Sequence, residues 1–132
     1  MVNIRSNVSI TSTSFFPSSA TMTTNITESF AGDADFQSIA VAAGDSAVVF
    51  EPTGIGSVPS TTFLYIQSPA TNVGGFTINL LGVAATPVTL ATMLPKDFIC
   101  LPLAVTTQGI SVEAVNLSGA AGGTVNVFWG VR

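Results

Sequence analysis

The sequence contains no histidine. Histidine is the commonest general base at neutral pH and the commonest metal ligand, so Ser-His and Cys-His nucleophilic pairs and His-zinc sites are excluded at once. Charge is scarce too: charged residues make up 8% of the chain, against about 25% in an ordinary soluble domain. Arg5, Lys96 and Arg132 are the only basic side chains and the net charge is −4. Nothing here neutralises a run of phosphates, which argues against a nucleic-acid partner. No stretch approaches the ~18 consecutive apolar residues of a membrane helix. The single Trp and single Tyr do not supply the girdles of an outer-membrane barrel, so no membrane partner is expected. The opening residues, Met1 to Ser9, carry one charge and no apolar stretch of about seven residues, and do not read as a secretory leader. The one cysteine, Cys100, has no internal disulfide partner. Within Phe98-Ile-Cys-Leu it is expected as a small buried hydrophobe, with Lys96 the nearest basic neighbour and too distant to favour a thiolate.

What is there suits one domain. The chain has 132 residues, 47% of them hydrophobic, enough for a single core and too few for two comfortable ones. Ser, Thr, Asn, Gln and Gly must supply most of the polar surface. Such a surface keeps strand-rich molecules apart poorly, because charge is what usually guards their edges. Much of it is therefore expected to be covered by partners.

Apolar residues recur at every second position. Ile4, Val8 and Ile10, then Met22, Ile26 and Phe30, all fall on even numbers, and further strands are expected over 36–42, 46–51, 61–68, 74–81, 86–91, 98–103, 109–116 and 124–131. Phe76, Ile78 and Leu80, Ile110 and Val112, and Val125, Val127, Trp129 and Val131 are expected inward, as are most of the phenylalanines. Pro52, Pro59, Pro69, Pro87, Pro95 and Pro102 fall at or near the strand ends, where a missing amide donor harms a ladder least. No window carries a helical apolar stripe. The fold expected is all-β: a jelly-roll-like β-sandwich of about nine or ten short strands with an extended N-terminal arm. Residues 1–31, rich in Ser and Thr and interrupted by Phe15-Phe16-Pro17, read as that arm or as an edge strand, and 32–132 as the sandwich.

Candidate chemistry is sparse. Asp33, Asp35, Asp45, Glu51 and Glu113 offer carboxylates for a glycosidase pair, but Asp33, Asp35 and Asp45 read better as turn residues bonded to their own backbone. Asp33 and Asp35 are also the weak candidates for calcium; without the Gly and Glu of an EF-hand loop they carry no motif, and no metal or cofactor is expected. Gly54-Ile-Gly56 and Gly122-Gly123 read as turn glycines, not phosphate cradles. Asn7-Val-Ser9, Asn25-Ile-Thr27 and Asn116-Leu-Ser118 match the glycosylation pattern, which a Ser/Thr-rich chain produces by composition. Tyr65 and Trp129 lie in apolar strands and read as core or interface residues ahead of a sugar platform.

From Thr62 onward the features run Phe63-Leu-Tyr-Ile-Gln-Ser, Gly-Gly-Phe-Thr-Ile-Asn, Leu94-Pro-Lys-Asp-Phe-Ile-Cys-Leu-Pro-Leu, Ile110-Ser-Val-Glu-Ala-Val-Asn and Val125-Asn-Val-Phe-Trp-Gly. In this order the chain resembles small β-sandwich virion proteins of tailed bacteriophages: capsid decoration or cement proteins and fibre or tail accessory proteins. The resemblance covers roughly the last 70 residues and is one of pattern. It implies a sandwich that assembles, often as a trimer, on a capsid or tail. The resulting expectation is a non-enzymatic virion structural protein that bridges and stabilises shell subunits. Its partners would be the major capsid protein or other virion proteins and copies of itself, its location the virion after assembly in the host cytoplasm. Docking is expected from residues 1–31, with Phe15 and Phe16 as apolar contacts and Arg5 as the anchoring charge. The alternatives are a tail or head fibre or adaptor component for host attachment, using loops 52–60 and 117–123, and a carbohydrate-binding module.

Overall fold

The computed structural model describes residues 2–12, 20–30, 34–51, 60–82, 86–105 and 110–131, and every regular element among them is a β-strand. The chain divides into two compact units, Met1–Ala31 and Gly32–Arg132. In the first, β1 (Val2–Ser12) and β2 (Ala20–Phe30) pair antiparallel, from Val2 opposite Phe30 to Ser12 opposite Ala20. Within the segment expected as an arm or edge strand, β1 and β2 pair with each other as a ribbon. Its register follows from the sequence, because both alternations run on even numbers and the pairing sets even opposite even.

The second unit holds β3 (Ala34–Val41), β4 (Ser46–Phe50), β5 (Ser60–Gln67), β6 (Phe76–Leu81), β7 (Val88–Met93), β8 (Phe98–Val105), β9 (Ser111–Asn116) and β10 (Gly123–Val131). They form two four-stranded sheets, ordered β3-β10-β5-β8 and β4-β9-β6-β7, with every neighbouring pair antiparallel. Each connection except β6 to β7 passes from one sheet to the other, the winding of a jelly roll. The expected sandwich is the observed architecture.

Between the sheets lie Val41, Val49, Phe50, Leu64, Ile66, Phe76, Ile78, Met93, Val112, Ala114, Val125 and Val127, all buried. Burying each large side chain contributes about 1.5–3 kcal/mol, and the period-two spacing places one from nearly every turn of the pleat inward. Trp129 and Leu80 pack against this core half-buried, and the Trp129 ring lies 5.9 Å from that of Phe50 across the sheets.

The connections 42–45, 68–75, 94–97 and 117–122 gather at one end, where Gly44 N donates to Ser118 O and Lys96 N to Ser68 O, each at 2.8 Å. At the other end β3 enters and β10 leaves side by side, Ala34 opposite Gly130. Two local expectations change. Pro102 stands inside β8, opposite Phe63, which an outer strand tolerates because one of its flanks has no neighbour to receive an amide. Cys100 is exposed, because Ile99 and Leu101 occupy the inward phase of β8 and leave Cys100 on the other.

Candidate docking surfaces

Of the residues expected to dock, Arg5 is exposed on β1, opposite Thr27; Phe15 and Phe16 lie outside the described residues, as does Asp33. Asp35 is not a turn residue. It is the second residue of β3, where its Oδ1 accepts from Phe36 N at 2.8 Å and its Oδ2 from Gln37 Nε2 at 2.7 Å. Its carboxylate is committed to its own strand, and no group of three or more His, Cys, Asp or Glu residues gathers among the described residues. Asp45 does behave as a turn residue, its Oδ1 accepting from Ser46 N at 2.8 Å.

The ribbon's register sorts its residues into two sets. Val2, Ile4, Ser6, Val8, Ile10 and Ser12 stand opposite Phe30, Glu28, Ile26, Thr24, Met22 and Ala20, and Asn3, Arg5, Asn7, Ser9 and Thr11 opposite Ser29, Thr27, Asn25, Thr23 and Thr21. One set is mainly apolar and the other wholly polar. A two-stranded ribbon on its own is marginal in water.

The loop end of the sandwich is tied down by two buried asparagines. Asn116, 3% exposed, donates from Nδ2 to the carbonyls of Val41 (3.3 Å), Ala42 (3.1 Å) and Ala121 (3.0 Å), and its Oδ1 accepts from Ser118 N at 2.9 Å. The apparent glycosylation match Asn116-Leu-Ser118 is therefore a buried Asx turn whose amide nitrogen is already engaged. Asn72 donates from Nδ2 to Ser68 Oγ (2.9 Å) and to the Thr124 carbonyl (2.8 Å), while its Oδ1 accepts from Thr124 N (2.9 Å). The loop 117–123, a candidate attachment loop, spends its polar groups on the fold; most of its counterpart 52–60 lies outside the described residues.

The two outer faces differ sharply in chemistry. On the β4-β9-β6-β7 sheet, Asn79 donates from Nδ2 to Glu113 Oε1 and accepts from Thr89 Oγ1, each at 3.1 Å, beside Ser46, Thr77 and Ser111. On the β3-β10-β5-β8 sheet a row runs Phe36, Phe128, Tyr65, Cys100 across neighbouring strands. Phe98 stacks on Tyr65 at 5.8 Å between centroids, and Phe63 and Pro102 continue the surface. Phe36 is 62% exposed and Phe98 46%, so these two do not point inward as expected. Strands β5, β8 and β10 contain no charged residue, and Asp35 is the only one in β3. At one margin Ser38 Oγ donates to Asn126 Oδ1 at 2.8 Å, and Asn126 Nδ2 lies 3.5 Å from Gln67 Oε1. Burial raises the pKa of Tyr65, with the neighbouring Cys100 adding to it, and partial burial also raises that of the Cys100 thiol.

The sequence carried a signal for this face. In Phe63-Leu-Tyr-Ile and Phe98-Ile-Cys-Leu-Pro-Leu both phases of the alternation are apolar, the mark of a strand covered on both sides.

No family model matches the chain, and no curated protein matches it significantly. Among solved structures, the Yersinia pseudotuberculosis-derived mitogen superposes with a TM-score of 0.50 at 16% identity, covering 76% of this chain and 87% of its own. At that identity the likeness is one of fold alone.

Proposed function

We propose that this chain is a non-enzymatic virion structural protein, a capsid decoration or cement protein that bridges and stabilises shell subunits. The observation that carries the reading is the self-paired ribbon, a separate compact unit whose register gathers Ile4, Val8, Ile10, Met22, Ile26 and Phe30 into one set. Such an arm gains stability by laying its apolar side on a partner, and the major capsid protein is the partner proposed. Arg5, exposed on β1, supplies the charge that fixes its orientation, and Phe15 and Phe16 are proposed as further apolar contacts. Repetition over a shell turns a modest contact into a strong one through effective concentration. The low charge of the whole chain fits a molecule that works covered, because few of its contacts demand desolvation of ions.

A carbohydrate-binding reading has one observation in its favour: the Ser38, Asn126 and Gln67 polar groups stand beside the Tyr65–Phe98 stack, a pairing of hydrogen-bonding groups with ring faces that sugars exploit. It ranks second, because the chain's one Trp lies against the core on the other side of that sheet.

The test mixes full-length protein with particles stripped of it and images them by electron microscopy, beside the variants Ile4→Asp and Arg5→Glu. Regular occupancy over the shell, weakened in both variants, supports the reading. Occupancy confined to a vertex or tail assigns the chain to the fibre or adaptor class, and no occupancy removes the virion reading altogether.

A further inference from the structure

We infer that two copies of this chain associate through the outer face of the β3-β10-β5-β8 sheet, the surface of Phe36, Phe98, Tyr65, Cys100 and Pro102. Three observations converge on a second copy as the occupant.

First, the edges are closed to strand addition. The outer strands of the two sheets are β3 and β8, and β4 and β7. Pro102 interrupts β8, the pairing register shifts within β4 and along β7, and the Asp35 carboxylate caps the Phe36 amide of β3. These are the devices that keep sheets from joining edge to edge, so a partner must use a face. Second, the two faces are unequal. On one face Asn79, Glu113 and Thr89 bond one another around a single aliphatic, Val48, 50% exposed, whereas the opposite one presents rings, a thiol and a proline, with Phe36 62% and Phe98 46% exposed.

Third, charge selects the partner. The chain carries a net −4, and an uncharged face gives a strongly charged partner nothing to pair with. Two identical copies meeting through it bring no charges together, while their carboxylates stay in water. The area suffices: about eight residues at ~3.3 Å along four strands ~4.8 Å apart give about 26 by 19 Å. That is roughly 500 Å² per copy and about 1,000 Å² in total, at the low end for a specific pair. A contact of that size predicts a weak, reversible dimer. This association is independent of the virion reading, since it needs no particle.

The test is sedimentation equilibrium of the full-length protein across a range of concentrations, with N-ethylmaleimide labelling of Cys100 in parallel. A monomer–dimer equilibrium is expected, with Cys100 protected as dimer accumulates. Phe36→Lys and Phe98→Lys, both at exposed positions, weaken it by about tenfold or more, while Val48→Asn, on the opposite face and 50% exposed, leaves it unchanged. Circular dichroism establishes that each variant folds, and either lysine variant alone suffices. A monomer at every concentration overturns the inference. So does an oligomer, dimer or trimer, that persists in both lysine variants with Cys100 labelled at the monomer rate, or an oligosaccharide that protects Cys100 where the protein alone does not.

Discussion

Replacing Asn116 with alanine removes one side chain from a place where four hydrogen-bonding contacts converge. Its Nδ2 has two protons for the carbonyls of Val41, Ala42 and Ala121, and its Oδ1 holds Ser118 N, so about three full bonds disappear. A net value of about 1 kcal/mol per bond gives a loss of about 3 kcal/mol, and the 3% exposure of the site leaves water little room to compensate. For a domain of this size each kcal/mol lowers the melting temperature by about 4 °C, so a fall of about 12 °C is expected in a calorimetric melt. Asn116→Asp sharpens the test, because it keeps the acceptor for Ser118 N but sets a carboxylate against three carbonyl oxygens. Burial and those oxygens favour its protonated form in the folded state, so its folded pKa lies above the unfolded value of about 4. The variant is then relatively most stable below that value and loses stability as pH rises. A fall of less than about 4 °C for the alanine variant, or an aspartate variant whose deficit does not grow with pH, would refute this account of the loop end.

Two further outcomes follow from single residues. Lys96 has φ of 80° at the third position of the turn Leu94-Pro95-Lys96-Asp97, closed by Asp97 N donating to Leu94 O at 3.0 Å; Lys96→Gly relieves the left-handed conformation and raises stability by up to about 1 kcal/mol, read by urea titration. The Cys100 pKa is raised by partial burial, so at neutral pH less of it is thiolate than in glutathione; in dilute monomeric protein its alkylation is slower than that of the free thiol, and the gap closes as pH rises past the ordinary thiol range.

The strands were legible because both sheets bury one side against a common core, which forces period-two patterning. The expected strand at 36–42 is β3 at Ala34–Val41, and that at 98–103 is β8 at Phe98–Val105. Which phase faces the core was less legible where both phases are apolar. In β8 the aliphatic Ile99 and Leu101 take the inner positions and leave Phe98 and Cys100 outside, a choice made by the opposing sheet and not by hydrophobicity. The pairing of β1 with β2 is hard to read for a related reason: alternation reveals a strand but not its partner, and the one signal is the shared even phase of the two segments. The work of Asn116 was hidden because its oxygen contact is local but its carbonyl contacts reach back to Val41 and Ala42.

The adjacency of the points where β3 enters and β10 leaves the sandwich, Ala34 opposite Gly130, has a mechanical meaning. Tension applied through the two ends of this unit would pull on neighbouring antiparallel strands at the same pole and peel their hydrogen bonds apart one after another. That is the weak direction of a sheet, since the bonds break in sequence and never share the load. Force borne across its broad faces loads many contacts at once, so a sandwich wound this way resists strain from its surroundings far better than strain along its own backbone.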